Sequence, residues 1–175
     1  MGKTFIFLST ASRELSAIYS SYGAKLPFEA HYICYGGKYY ALTEKRIAYM
    51  RDKTMDGRFF ILTLFAIAYE IEANNAYSPD DIIDVQLLIG LPSAHYAKQR
   101  EQFQAYFVRD EFIEFCFNGK YTILIDRVFA APQALAAIMP VFGQVKDISK
   151  GVIIDIGGMT ADYIMVRKGV ADASV

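Results

Sequence analysis

Three short glycine-bearing turns, each set between two β-prone runs, limit what this chain can become more than any other feature. Residues 31–35 and 38–42 flank Gly36-Gly37, and 111–117 and 120–125 flank Asn118-Gly119. Residues 152–156 and 163–167 flank the third turn, which holds Gly157-Gly158. Such pairs adopt the left-handed backbone that tight hairpins need, so each block predicts two antiparallel strands. Between the blocks the pattern becomes helical. Residues 58–72 have hardly any polar face, which predicts a helix packed on most sides or lying at an interface. Residues 84–89 predict a short strand broken by Gly90-Leu91-Pro92, and 94–107 a helix whose first amides are capped by Ser93. A short helix is predicted over 132–139, with Pro132 at its first position and Pro140 closing it. Residues 4–8 are β-prone, and 9–25 read as irregular with a short turn of helix. Hairpins mixed with crossover helices predict an α/β fold with a mixed sheet.

The 175 residues fit one domain, or one compact domain with a small insertion. Apolar residues make up 54% of them, enough for a real core and for a contact surface as well. Net charge is −1, so a broad electrostatic footprint for nucleic acid is not expected, and Tyr39-Tyr40 with Lys45-Arg46 is too local to supply one. No stretch reads as a leader or a membrane span. Cys34 and Cys116 lie in apolar–aromatic runs without a CxxC spacing, which predicts buried free thiols in a reducing cytoplasm. His31 and His95 have no partners at ligand spacing, and no GxxxxGK[ST] loop occurs.

Asp155 closes an apolar strand and is followed at once by Gly157, Gly158 and Thr160. Free amides beside a carboxylate suit phosphate oxygens and a hydrated metal, and ligands of open α/β sheets gather beyond strand carboxyl ends. The plainer reading is a tight turn whose amides Asp155 accepts. Thr160 either donates to a phosphate or favours the returning strand, and Asp162 reads as a carboxylate steadying the turn or edge. Gln133, in the first turn of its helix, either orients water through an uncharged amide or is a polar residue on a solvated turn. The 88–92 junction is a structural turn or a loop bordering the same crevice as Asp155.

Four blocks in this order, 58–64, 84–92, 128–137 and 151–163, resemble the actin-like ATPases of the ParM/StbA plasmid-segregation group. The resemblance implies a ribonuclease-H-like fold for the first of two actin-type domains, with a smaller inserted subdomain near 20–57. It implies that Asp155 holds a hydrated Mg²⁺, that Gly157, Gly158 and Thr160 contact the β- and γ-phosphates of ATP, and that Gln133 positions the attacking water. In that family ATP drives filament assembly in the cytoplasm, hydrolysis destabilises the filament, and a DNA-binding adaptor links it to the plasmid. Residues 1–9 lack the family's Asp-Gly phosphate loop, and the second domain with its adenosine contacts is expected to be missing. The expectation is therefore a truncated first domain that binds ATP and Mg²⁺ weakly, turns over little or none alone, and self-associates through uncovered apolar surface. Two other readings stand beside it: a non-catalytic module that caps filaments of a longer relative, and part of a sugar- or acetate-kinase-like enzyme.

Overall fold

The computed structural model describes residues 15–18, 32–42, 50–74, 77–78, 80–109, 111–133, 147, 149–156, 161–167 and 170–172. In chain order the elements are β1 (Leu15–Ile18), β2 (Tyr32–Tyr35), β3 (Lys38–Leu42), a 3₁₀ turn (Lys53–Met55), α1 (Arg58–Asn74), β4 (Ile82–Leu91) and α2 (Ser93–Phe107). Then come β5 (Ile113–Phe117), β6 (Gly119–Pro132), β7 (Lys150–Ile156), β8 (Ala161–Arg167) and β9 (Val170–Asp172). Six strands form one sheet in the order β1-β3-β2-β5-β6-β4, and β7-β8-β9 form a second. The β4–β6 pair is parallel; β5 lies antiparallel to both β2 and β6. This is a mixed sheet flanked by helices.

The first hairpin has the predicted form. Gly36 and Gly37 both take positive φ, 57° and 72°, between Tyr35 and its partner Lys38. The second is tighter than expected. Asn118 alone is left-handed, at φ 50°, because Gly119 already pairs with Phe117. The Asn118 amide donates to both carboxylate oxygens of Glu72, at 2.9 and 3.1 Å, tying the turn to the end of α1.

Most of α1 is buried: Phe60, Ile61, Leu64, Phe65, Ile67, Ala68 and Ile71 join one core with Phe103 and Phe107 of α2. Facing them are alternate residues of β4 (Ile83, Val85, Leu87, Ile89, Leu91) and of β5 (Ile113, Phe115, Phe117). The α1 surface is thus core rather than a free interface. Strand β6 contributes Ile123, Ile125 and then Val128, which breaks the alternation. The register explains why. Val85 pairs with Ile125 but Gln86 pairs with Arg127, so Asp126 is an extra residue in β6. That bulge keeps Val128 on the core side, opposite Leu87.

Several expectations need correction. Strand β4 runs through Gly90 and Leu91 instead of ending at them, because Gly90 pairs with Ala131 and Leu91 with Pro132. Strand β6 likewise runs on to Pro132, so Pro132 ends a strand and does not open a helix. Gln133 is helical, while 134–140 lie outside the described residues, as do 4–8. Within the stretch read as irregular, Leu15–Ile18 forms β1 on the free edge of β3; a ladder partner far along the chain supplies what local composition does not signal. Ser93 does not cap α2. It is the first helical residue, Pro92 precedes it, and the Pro92 carbonyl accepts from the His95 and Tyr96 amides at 2.9 and 3.0 Å. The Ser93 hydroxyl is buried with no hydrogen-bond partner among the described residues. Finally, Cys116 is exposed and Cys34 half-buried, so the two thiols are free but not core.

Candidate functional site

Beyond Ile123 the β6 edge away from β4 is no longer paired by β5. Helix α2 covers it. The Gln104 amide donates to the Val128 carbonyl at 2.7 Å and the Tyr96 hydroxyl to the Ala130 carbonyl at 3.2 Å, which satisfies backbone acceptors that water would otherwise have to reach. The same helix holds the 3₁₀ turn. Gln99 donates to the Arg51 carbonyl, and Gln102 to Thr54 and Asp52. Asp52 in turn accepts from the Thr54 amide at 2.9 Å and from its hydroxyl at 2.6 Å. Since α2 also packs against β8, it brings Lys53 of the turn beside the second sheet.

Asp155, the penultimate residue of β7, lies directly opposite Asp162 of β8. Residues so paired share a face of the sheet with Cβ atoms about 4.5–5.5 Å apart. Both are half-buried, on the side that also carries Ile153, Ile164 and Val166. Two like charges at that spacing repel, and a cation relieves them. Lys53 is one such cation. Burial brings its ammonium down from 10.5 to about 8, while the Asp162 charge pulls it back up. The Lys53 ammonium also sits 5.7 Å from the centre of the Phe59 ring.

Gln133 emerges from the carboxyl end of β6, alongside the end of its parallel partner β4. Its Cγ lies only 2.8 Å from where a Cβ on Gly90 would stand, so the missing side chain at Gly90 is what admits it. The 84–92 and 128–137 blocks therefore meet at one pair of strand ends. Asp155 belongs to the other sheet, and Gly157, Gly158 and Thr160 lie outside the described residues. Lys53 escaped the sequence reading. Within Arg51-Asp52-Lys53-Thr54 it looks like an ordinary surface lysine, and only a contact 109 positions along the chain, to Asp162, marks it.

The donor set fits a hydrated divalent cation. Mg²⁺ prefers oxygen ligands, keeps several waters, and is held by one or two carboxylates together with substrate phosphates. An Asp155–Asp162 pair supplies those oxygens. No group of three or more metal-ligating side chains occurs among the described residues, so a closed protein cage for a metal is not found there. An open concavity of about 370 Å³ lies elsewhere, at the start of α1, lined by Tyr35, Tyr40, Asp56, Arg58, Tyr106 and Arg109. Asp155, Asp162 and Gln133 do not line it, whereas Tyr40 and the start of the 58–64 block do. No described helix is long and apolar enough to cross a membrane.

No protein-family model matches the chain, and no curated protein matches it significantly. Solved structures do. The apo psk41 ParM protein superposes with a TM-score of 0.68 at 13% identity, covering 92% of this chain and 56% of its own. The archaeal actin homolog Ta0583 gives 0.63 at 13% identity, covering 90% and 51%. AlfA from the B. subtilis plasmid pLS32, in its filament structure, gives 0.60 at 17% identity, covering 87% and 57%. The chain thus spans about half the length of the solved structures it matches. At these identities the likeness is one of architecture, and the mixed sheet with its flanking helices is an actin-type, ribonuclease-H-like ATPase fold.

Proposed function

We propose that this chain is the first domain of an actin-like filament protein acting in plasmid segregation. ATP hydrolysis drives filament turnover in the complete protein, with little or no turnover by this chain alone. The observation that carries the reading is the Asp155–Asp162 pair facing Lys53 within an actin-type fold. The matched structures add support: they include AlfA and Alp12 filaments, and Ta0583 has been solved in complex with ADP.

In this reading Asp155 holds a Mg²⁺ through its bound waters, and Asp162 deepens the negative potential beside it. Gly157, Gly158 and Thr160 contact the β- and γ-phosphates. Gln133, lodged against Gly90, orients the attacking water through its amide. Bound Mg²⁺ supplies charge neutralisation on the transferring phosphoryl group. The nucleotide's other wall is assigned to a second domain, in keeping with the chain's share of its structural relatives. Residues 20–57 are assigned to the smaller inserted subdomain, of which β2 and β3 continue the six-stranded sheet. A DNA-binding adaptor is the expected partner in the complete system, and the cytoplasm its place.

Nuclear magnetic resonance titration with ATP·Mg²⁺ tests this. Binding weaker than about 100 μM, or −5.5 kcal/mol, is expected, with shifts gathered at Asp155, Asp162, Gly90 and Gln133. Asp155→Ala removes the Mg²⁺-dependent part. Binding tighter than that would refute the half-site, and shifts confined to other regions would refute the assignment of these residues.

A capping role on filaments of a longer relative is the second reading. Its support is the bare apolar side of β7 and β8, formed by Val152, Ile154, Ile156 and Tyr163.

A further inference from the structure

Strands β2 and β5 join the first hairpin to the rest of the main sheet, and among the described residues their register is a single Cα pair: Cys34 opposite Cys116. The only two cysteines of the chain therefore face each other across an antiparallel seam. Ile33 and Phe117, the residues beside them, are buried in the core, which turns the cysteine pair toward the sheet's outer side. Tyr39 lies opposite Cys34 on β3, and Lys120 opposite Cys116 on β6, so the row Tyr39, Cys34, Cys116, Lys120 crosses four strands. Lys120 is engaged at 3.1 Å by Glu114. Cys116 is exposed and open to a small reagent.

Directly opposed residues of an antiparallel pair have Cα atoms about 4.5–5.5 Å apart, inside the range of roughly 4.4–6.8 Å that a disulfide spans. Their Cβ atoms stand about 4.5–5.5 Å apart, so closing to the usual 3.8 Å or so takes an approach of about 1 Å. We infer that Cys34 and Cys116 form a reversible cross-strand disulfide that locks the β2–β3 hairpin onto the main sheet. The seam has little backbone ladder of its own, so a covalent tie there changes more than it would between well-paired strands. It also fixes Tyr35, which packs on Phe60 with ring centres 5.5 Å apart and forms one wall of the concavity at the start of α1.

The oxidant is a small-molecule disulfide such as oxidised glutathione. The Cys116 thiolate attacks one sulfur of its S–S bond. That bond breaks, and one glutathione leaves with the electron pair and takes up the proton that Cys116 gave. The Cys34 thiolate then attacks the Cys116 sulfur of the mixed disulfide and expels the second glutathione, which takes the Cys34 proton. The protein dithiol has lost two electrons and two protons, and the oxidant has become two thiols.

The test treats the reduced full chain with oxidised glutathione, blocks remaining thiols with a maleimide and maps the products by mass spectrometry. Expected is the loss of both thiols together in a monomer lighter by two hydrogen atoms, with one cross-linked peptide pair holding Cys34 and Cys116. Dithiothreitol restores both thiols, and the oxidised chain melts at a higher temperature than the reduced one. In Cys34→Ser the glutathione adduct on Cys116 persists because nothing resolves it. Wild-type chain carrying an adduct on each cysteine, or forming disulfide-linked dimers without the internal cross-link, would overturn the inference; mapping the wild type decides this whether or not the variant folds.

Discussion

Lys53 shows how much one side chain's place can depend on the whole fold. Its ammonium is lowered to about 8 by burial and partly restored by Asp162. Replacing Asp162 by Asn removes the restoring charge, so the Lys53 midpoint should fall further, which the shift of its ε-carbon followed against pH will read. An unchanged midpoint would mean that β8 does not lie beside the 3₁₀ turn. The same depression carries a sign for stability. Between about pH 8 and 10.5 the unfolded chain holds this proton while the folded chain has released it, so the Lys53 contribution to stability rises with pH across that window. Urea unfolding of wild type and Lys53→Met at pH 7.5 and pH 10 should therefore show the difference moving in favour of wild type at the higher pH. A constant difference would contradict the buried placement. The place of Asp155 near the end of a strand was legible from the sequence, since a carboxylate ending an apolar run before Gly157-Gly158 is a local pattern. Its charged surroundings were not, because Lys53 reaches them only through the packing of α2 against β8.

At the scale of elements, α1 and α2 are joined through one hydroxyl. Tyr106 of α2 donates to the Asp56 carbonyl at 2.7 Å and accepts from the Phe60 amide at 3.0 Å. The Phe60 amide is among the first four of α1, which have no acceptor within the helix. Asp56 serves another of these first amides, accepting from the Arg58 amide at 2.9 Å while its other carboxylate oxygen pairs with the Arg58 guanidinium. That guanidinium bond is the main reason the Asp56 carboxyl sits below its ordinary range. The ring of Phe60 is itself covered by the Arg109 guanidinium at 4.4 Å. Tyr106→Phe keeps the ring packing but strands a partly buried donor and acceptor, so it should cost about 1–3 kcal/mol, read as a lower urea midpoint with an unchanged slope. A loss within error would show that water reaches the start of α1. The elements the sequence foretold best are those whose signals are local: α1 from its apolar run, and the first hairpin from Gly36-Gly37. Strand β1 and the far half of β6 were missed for the opposite reason. Leu15–Ile18 is a strand because β3 offers it an edge, and Val128 to Pro132 are strand because β4 runs parallel beside them. The Asp126 bulge is equally silent in sequence, since it exists only relative to β4.

Considered as a whole molecule, the chain buries one side of its second sheet and leaves the other bare. On β7, Val152, Ile154 and Ile156 are 54, 63 and 82% exposed, and Tyr163, opposite Ile154, is 58% exposed. Ile153, Ile164 and Val166 point the other way and are wholly or partly buried. A strand with three large aliphatic residues turned outward is unusual for a surface that meets only water, and β7 also ends its sheet with one edge unpaired by the described strands. Fully covering such side chains is worth about 1.5–3 kcal/mol each. Four of them together are comparable to the roughly 4–15 kcal/mol that association costs in lost freedom of motion. The balance predicts weak self-association that strengthens with concentration rather than a permanent dimer. Ile154→Lys combined with Ile156→Lys places two charges on this side without touching the inward residues, so the fold should survive while association is lost. Sedimentation velocity over a range of concentrations, with far-ultraviolet circular dichroism to confirm folding, measures both. A folded double variant that associates as strongly as wild type would remove this surface from the contact and leave the free edge of β7 as the place to look.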